Sequence, residues 1–233
     1  MFLYSLLEVS DKATQIVRKI SVGGVVLVLL LIALISFLQN GKRIAAKRVA
    51  FAGICAAMSF TLALIKVSPV QYGGSITLAS FVPILIYAYV FGVGEGLVIG
   101  LVHGLLNFIE SPFILTPATF IFDYLLAFMS VGVMGFFGKM KRKNRACLPL
   151  VLGGICVFSI RFFAHLFSGM IFFMQDAIWV SLPEWAMGNA FIYSFIYQCV
   201  YIPADAILAI LVLIVLCKSG ALDRLSAIMK KGK

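Results

Sequence analysis

Long apolar segments separated by short polar ones dominate the chain. We interpret seven of them as membrane-crossing helices, at about 22–38, 44–65, 76–91, 94–109, 117–137, 149–173 and 189–217. Backbone groups in lipid must satisfy one another, and the ten-residue alternation of a β-barrel is absent from the sequence. The pattern therefore predicts an all-α membrane protein, with polar loops rich in Pro and Gly between its helices.

Composition and charge placement agree with this interpretation. The 233 residues are 63% hydrophobic and 12% charged, with a net charge of +10. Clusters at 42–48, 139–145 and 218–233 hold 14 of the 19 basic residues. Short clusters between apolar segments are typical of cytoplasmic loops rather than of a nucleic-acid-binding surface. The distribution predicts a multi-pass protein of the cell membrane with a cytoplasmic C-terminus and an external N-terminus.

Three units follow from this topology. Residues 1–43 form an N-terminal extension with an extra transmembrane helix, for which a cleaved signal peptide is the competing interpretation. Residues 44–218 form a six-helix membrane domain, and residues 219–233 form a basic cytoplasmic tail. The five cysteines show no CxxC or metal-ligand spacing, so we expect neither a disulfide framework nor a metal site.

The segment 149–173 carries the most unusual polar residues. Arg161 and His165 are four positions apart and share a helix face, with Phe173 two turns beyond on roughly the same side. A charge at bilayer depth must face a partner or a wet cavity. This face is therefore either part of a polar and aromatic binding pocket or half of a structural Arg–Asp tether between helices.

Other polar residues are expected at the same depth. Helix direction places Asn107, Asp123, His165, Tyr193 and Gln198 in the outer half of the membrane. Scattered structural polar groups would have no reason to share a depth, so this placement predicts an externally facing site. We expect Arg161 to pair with Asp123 and to orient it, and Asp205, which lies deeper, to tether helices.

The segment 44–65 is rich in small residues. Ala52 and Ala56, and likewise Gly53 and Ala57, are spaced i, i+4, which lets another helix approach closely in a membrane. The pattern predicts that this face docks on a partner protein.

Several motifs together resemble one transporter family. They are Ala52-x-x-x-Ala56, Phe122-Asp123-Tyr124, Arg161-x-x-x-His165 followed by Phe173, and Tyr193 with Gln198 five residues later. Over residues 45–217 the sequence resembles the thiamine-specific substrate-binding (S) components of energy-coupling-factor (ECF) vitamin transporters. The resemblance implies a six-helix S-component bundle, here with one extra N-terminal transmembrane helix.

The resemblance also implies roles for individual residues. The family's ligand contacts map onto these positions of the chain: Asp123, Tyr124, Arg161, His165, Phe173, Tyr193 and Gln198, with Tyr72 as the cover from the first loop. Only Tyr124, His165 and Tyr193 are identical to the family pattern. Asn107 joins this set because His103, Asn107 and Glu110 form a polar stripe along one face of the helix at 94–109. A carboxylate and aromatic rings in low dielectric suit a cationic heterocycle.

The implied function is high-affinity capture of thiamine from outside, without enzymatic activity and without a cofactor. The implied partners are a transmembrane coupling protein and two cytoplasmic ATPases in the cell membrane of a prokaryote. No Walker A pattern occurs in the chain, so the energy must come from those partners. The alternatives are an S component for a thiamine precursor or another cationic heterocycle, and an ion-coupled secondary transporter.

Overall fold

The computed structural model describes residues 46–69, 74–112, 117–140, 147–173, 185 and 189–230. The predicted helix at 22–38 and the whole extension 1–43 lie outside these residues. The described elements are α1 (Ala46–Leu64), β1 (Lys66–Pro69), β2 (Ser75–Thr77), α2 (Val82–Phe91), α3 (Val93–Glu110), α4 (Pro117–Gly138), α5 (Cys147–Phe173), α6 (Ala190–Lys218) and α7 (Ala221–Lys230).

Most of these helices match a membrane environment. Five of the described helices, α1 and α3 to α6, are long and apolar enough to cross a bilayer. Their outward positions carry exposed large apolar side chains, such as Ile54 on α1, Phe163 on α5 and Val215 on α6. Exposed apolar surface of this extent suits lipid rather than water. The predicted all-α membrane bundle is thus present, with α2 as its sixth helix.

The helix predicted at 76–91 differs from expectation. The sequence predicts a loop at 66–75 and a helix from 76, but β1 and β2 form an antiparallel pair and α2 begins only at Val82. Pro83 in its first turn suits a helix start, since proline lacks the donor that an interior position needs. At ten residues α2 is about 15 Å long, too short to cross a bilayer alone.

The bundle interior encloses α2 and the last residue of β2, Thr77. Every residue from Val82 to Val90 is buried, as expected for a helix that is apolar on all sides. The backbone N–H of Thr77, at the end of β2, donates to Asp205 of α6. Extended backbone is tolerated inside a membrane protein when other groups satisfy its hydrogen bonds.

Glycines bring α3 and α4 unusually close together. A Cβ atom at Gly104 would collide with the carbonyl oxygen of Tyr124, and one at Gly100 with that of Phe128. Only glycine permits such an approach of two helix backbones. Salt bridges join neighbouring elements at both ends of the bundle, Arg48–Glu95 at one end and Lys66–Glu110 at the other.

Two features of the chain's C-terminal part were not predicted. The predicted tail begins with a helix, α7, which packs against α1 and α2. The expectation of no disulfide is wrong, because Cys147 and Cys217 form one between the start of α5 and the end of α6. Their positions, 70 residues apart in sequence, gave no spacing signal for this pairing.

Candidate functional site

One cavity lies between the hairpin and helices α3 to α6. It offers about 110 Å³ to the centres of water-sized molecules, several times the space that a single water needs. Its lining includes Gly74, Ser75, Thr77, Ser80, Phe81, His103, Asn107, Thr119, Asp123, Tyr124, Phe128, Arg161, His165, Ser168, Gly169, Tyr193, Ser194, Tyr197, Gln198 and Tyr201. The cavity is therefore both polar and aromatic.

The structure brings most of the predicted site residues together. The following predicted residues line this one cavity: Asn107, Asp123, Tyr124, Arg161, His165, Tyr193 and Gln198. Tyr72 lies outside the described residues. Phe173 is the last residue of α5, and its side chain also lies outside the described part of the structure.

A π-helical turn of α4, Ile121–Leu126, presents Asp123 to the cavity. Such single turns widen a helix locally and are frequent at functional sites. One oxygen of the Asp123 carboxylate accepts from His165 Nδ1 at 2.7 Å, and the other accepts from Ser168 Oγ at 2.5 Å. The carboxylate is thus fixed by two donors from α5, while 24% of its side chain stays exposed.

Arg161 has a different partner from the one expected. Its Nη1 lies 2.7 Å from Asp205 Oδ2 on α6, so the predicted pair with Asp123 is wrong. The guanidinium also lies over the Phe81 ring, 4.4 Å from its centroid. Asp205 receives the backbone N–H and the hydroxyl of Thr77 as well. The predicted tethering role of Asp205 therefore has a structural basis, and Arg161 is its partner.

Four buried polar atoms facing this region have no hydrogen-bond partner among the described residues. They are Arg161 Nε, His165 Nε2, Ser194 Oγ and Gln198 Oε1. Leaving such an atom unpaired away from water costs about 1–3 kcal/mol, so a bound molecule that reached these atoms would gain by pairing with them. In the neutral tautomer whose Nδ1–H donates to Asp123, Nε2 of His165 is an acceptor, and the Gln198 side-chain oxygen is an acceptor as well.

Two glycines set the dimensions of the cavity. A Cβ atom at Gly169 would lie 2.8 Å from Ser194 Oγ, and one at Gly74 would lie 2.9 Å from the Tyr197 hydroxyl. Both distances are too short for ordinary contact, so glycine keeps α5 close to α6 and the hairpin close to α6. These contacts place Ser194 and Tyr197 at the cavity surface.

Sequence reasoning missed several lining residues. Ser168 follows His165 by three positions and therefore shares its helix face, which was a usable signal. Ser194 adjoins Tyr193, and nothing in the sequence distinguishes its hydroxyl from an ordinary packing serine. Thr77 ends β2 and Ser80 lies in the turn before α2, so both reach the site from non-helical backbone, which the predicted helix from 76 did not allow.

The lining suits a small aromatic molecule that carries positive charge. Asp123 is the half-buried carboxylate, and tyrosine rings on α4 and α6 provide faces for stacking and cation–π attraction. The unpaired acceptors on His165 and Gln198 suit a ligand that donates N–H bonds. Among the described residues, no group of three or more His, Cys, Asp or Glu side chains could hold a metal ion.

The predicted docking face of α1 is only partly on the surface. Ala56 is buried and Ala52 is only partly exposed where it packs against the core, so their part in docking stays a prediction. Gly53 and Ala57 are exposed, and a Cβ atom at Gly53 would meet nothing within 4 Å. Any docking surface on α1 is therefore centred on these two residues.

Comparison with known proteins gives three related findings. The family described as Thiamine transporter protein (Thia_YuaJ) matches residues 49–222. The Thiamine transporter ThiT of Bacillus subtilis is 30% identical over 152 residues, which cover 62% of this chain and 75% of the relative. A solved structure of ThiT from Listeria monocytogenes is 23% identical with a TM-score of 0.63, covering 75% of this chain and 94% of that one.

The comparisons confirm the predicted family, the predicted fold and the prediction that the protein is not an enzyme, and they extend none of these to single residues. The likeness to the solved structure confirms the helical S-component fold. The relatives are transporters and not enzymes, as predicted. The match to the family over residues 49–222 spans all six bundle helices. The chain is therefore a multi-pass membrane protein that belongs to the thiamine transporter protein family.

Proposed function

We propose that this protein captures thiamine as the substrate-binding subunit of an ECF-type importer. The observation that carries the proposal is the cavity itself, in which a carboxylate, tyrosine rings and unpaired acceptors meet at one end of the bundle. Thiamine combines a cationic thiazolium ring with an aminopyrimidine. Membership of the thiamine transporter family supports the same ligand.

The lining suggests how the two rings are recognised. The thiazolium cation interacts with the Asp123 carboxylate, whose charge is only partly offset by its two hydrogen bonds. The exocyclic amine of the pyrimidine donates to Gln198 Oε1 and His165 Nε2, the two unpaired acceptors. Tyr124 and Tyr193 provide aromatic surface, and Asn107 contributes an amide. Tyr72 and Phe173 remain candidates for further contacts.

The proposed partners are a transmembrane coupling protein and two cytoplasmic ATPases. The chain has no Walker A motif and therefore no ATP site of that type. The basic clusters at 42–48, 139–145 and 218–233 favour a cytoplasmic C-terminus, and the cavity then opens outward in the plasma membrane of a prokaryote. Residues 1–43 form a separate extension, 44–218 the vitamin-binding domain and 219–233 the basic tail.

Calorimetric titration of the purified protein tests the ligand. Thiamine, its aminopyrimidine precursor and its thiazole fragment are titrated separately. We expect thiamine to bind more tightly than either fragment, since only thiamine satisfies both the carboxylate and the two acceptors. Equal affinity for the precursor would assign the site to the precursor, and absence of heat with all three would refute the proposal.

A second experiment tests the partners through α1. Ala57→Leu places a bulky side chain on the exposed face and should abolish co-purification with the coupling protein, while thiamine affinity in detergent stays unchanged. Val200→Phe enlarges an exposed position on α6 and serves as the matched control, with normal co-purification expected. Normal assembly of the Ala57→Leu variant would remove α1 as the docking element.

A further inference from the structure

Helix α7 follows the last membrane helix almost without a break. Only Ser219 and Gly220 separate Lys218, the end of α6, from Ala221. Gly220 has φ +70°, the left-handed conformation that commonly ends a helix and turns the chain. Because α6 has the length and composition of a membrane span, α7 begins at the level of the membrane surface.

Side-chain placement divides α7 into three strips. Leu222 and Met229 are buried against the bundle, whereas Leu225 and Ile228 are 41% and 55% exposed. The spacing of three between Leu225 and Ile228 puts them on one side, next to the buried strip. Asp223 and Lys230 lie on the opposite side of α7, whereas Arg224, four positions before Ile228, lies beside the exposed apolar strip. The apolar strip formed by Leu225 and Ile228 is thus not covered by any other described residue.

Contacts at both ends hold α7 across the end of the bundle. Lys47 Nζ at the start of α1 donates to the carbonyl oxygen of Ile228 at 3.0 Å. At the other end Arg224 Nη2 donates to the carbonyl oxygen of Ser219 at 3.4 Å. Since α7 also packs against α2, it lies against the bundle and does not project from it.

The same end of the bundle is strongly basic. Among the described residues it carries six basic side chains and two acidic ones: Lys47, Arg48, Lys139, Lys218, Arg224 and Lys230 against Glu95 and Asp223. Glu95 is already paired with Arg48 at 3.0 Å. Juxtamembrane basic groups are attracted to the headgroups of anionic lipid.

We propose that α7 is an interfacial helix that rests on anionic phospholipid at this membrane surface. Leu225 and Ile228 enter the boundary between headgroups and acyl chains, and Arg224 and Lys230 contact headgroup phosphates. Two exposed apolar side chains form too small an area for a stable protein interface, whereas a lipid surface lies directly beside the end of α6. The proposal does not depend on the identity of the transported ligand.

Spin labelling of the full-length protein in vesicles tests this placement. Cys55, Cys156 and Cys199 are replaced by serine, and a label is attached at Ile228→Cys. Ala227→Cys, exposed one position away on the charged side, is the matched control. Thermal unfolding of each labelled variant verifies folding. Collisions with oxygen, which dissolves in lipid, are compared with those of a water-soluble nickel complex.

We expect the label at 228 to meet oxygen more often than nickel, and the label at 227 to show the reverse. In vesicles containing phosphatidylglycerol the label at 228 should lie deeper than in pure phosphatidylcholine, and Arg224→Gln with Lys230→Gln should remove that difference. Water exposure at 228, or equal depth in the two lipids, would overturn the proposal. Shielding of 228 from both reagents would also overturn it and would indicate a protein cover.

Discussion

At the scale of single residues, two carboxylates inside the bundle have different surroundings. Asp205 is nearly enclosed, with 2% of its side chain exposed, and receives donors from Arg161 and Thr77. Asp123 receives donors from His165 and Ser168 but remains 24% exposed to the cavity. Asp205 therefore stabilises the fold, and Asp123 has capacity left for a ligand.

Replacing Asp123 should weaken ligand binding more than it weakens the fold. Asp123→Asn keeps the shape but removes the charge that faces the thiazolium, and we expect a loss of about 2 kcal/mol or more in thiamine binding. Calorimetry measures the loss. The control is Glu110→Gln, which changes a carboxylate paired with Lys66 outside the cavity and should leave affinity unchanged. Unaltered affinity of Asp123→Asn would remove Asp123 from the site.

Ser194 allows a prediction in which stability and binding separate. Its Oγ is buried without a partner among the described residues, so Ser194→Ala should leave the thermal stability of the empty protein unchanged or raise it. Thiamine affinity should fall by about 1 kcal/mol if the hydroxyl contacts the ligand. Ser130→Ala removes a hydroxyl that is bonded to the Ala127 carbonyl and should show the opposite pattern. A stability loss without an affinity loss for Ser194→Ala would contradict its role.

At the scale of elements, the shape of the site depends on how α4 packs against α3. The π-helical turn of α4 carries Asp123 and Tyr124, and Gly104 of α3 lies directly against the carbonyl oxygen of Tyr124. Packing of one backbone on another thus fixes the segment that presents the carboxylate.

Gly104→Ala should therefore affect both stability and binding. The added Cβ collides with backbone that cannot move as a flexible side chain would, and we expect a destabilisation of about 1–3 kcal/mol. Thermal unfolding and thiamine titration measure the two effects. Gly53→Ala adds the same methyl group to open space on α1 and should lower neither the thermal stability nor the thiamine affinity. Full thiamine affinity in Gly104→Ala would show that the turn tolerates displacement.

The sequence predicted the long elements well and the irregular ones poorly. Apolar length alone identified α1 and α3 to α6, because spanning a bilayer demands about 20 apolar residues. The hairpin of β1 and β2 escaped detection because the segment 66–75 contains Pro69 and the pair Gly73-Gly74, which favour a loop, and because the exposed Lys66 and Val67 of β1 give no apolar strand pattern. The π turn of α4 lies where α4 packs against α3, and no local residue pattern predicts it.

At the scale of the whole molecule, one buried ion pair joins three elements. Arg161 of α5 pairs with Asp205 of α6, which also binds Thr77 of β2. Arg161 lines the cavity, and through Asp205 the ion pair holds β2 against the helices. This arrangement explains how the non-helical backbone of β2 and of the turn before α2 is held inside the bundle.

Breaking this pair should destabilise the protein strongly. Asp205→Asn leaves the Arg161 charge buried without its counter-ion, at a cost of about 3–5 kcal/mol. Combining Asp205→Leu with Arg161→Met removes both charges and should recover most of the loss in thermal unfolding. Equal destabilisation by the single and the combined changes would show that the charges are not coupled.

The sequence indicated the location of the site but not the pairing within it. Helix direction placed Asp123, His165, Tyr193 and Gln198 at a common depth, and the structure brings all four around one cavity. Asp123 and Asp205 were both possible partners of Arg161. Which of the two pairs with it depends on the rotation of the helices about their axes, and hydrophobic periodicity does not determine that rotation to within one side chain. That is why Asp205, and not Asp123, forms the ion pair.

The most direct measurement is an experimental structure of the protein with thiamine bound. The account predicts ligand density inside this cavity, with the thiazolium next to the Asp123 carboxylate and the pyrimidine amine within hydrogen-bond distance of Gln198 and His165. Ligand density elsewhere on the protein, or a cavity that stays empty at saturating thiamine, would contradict it.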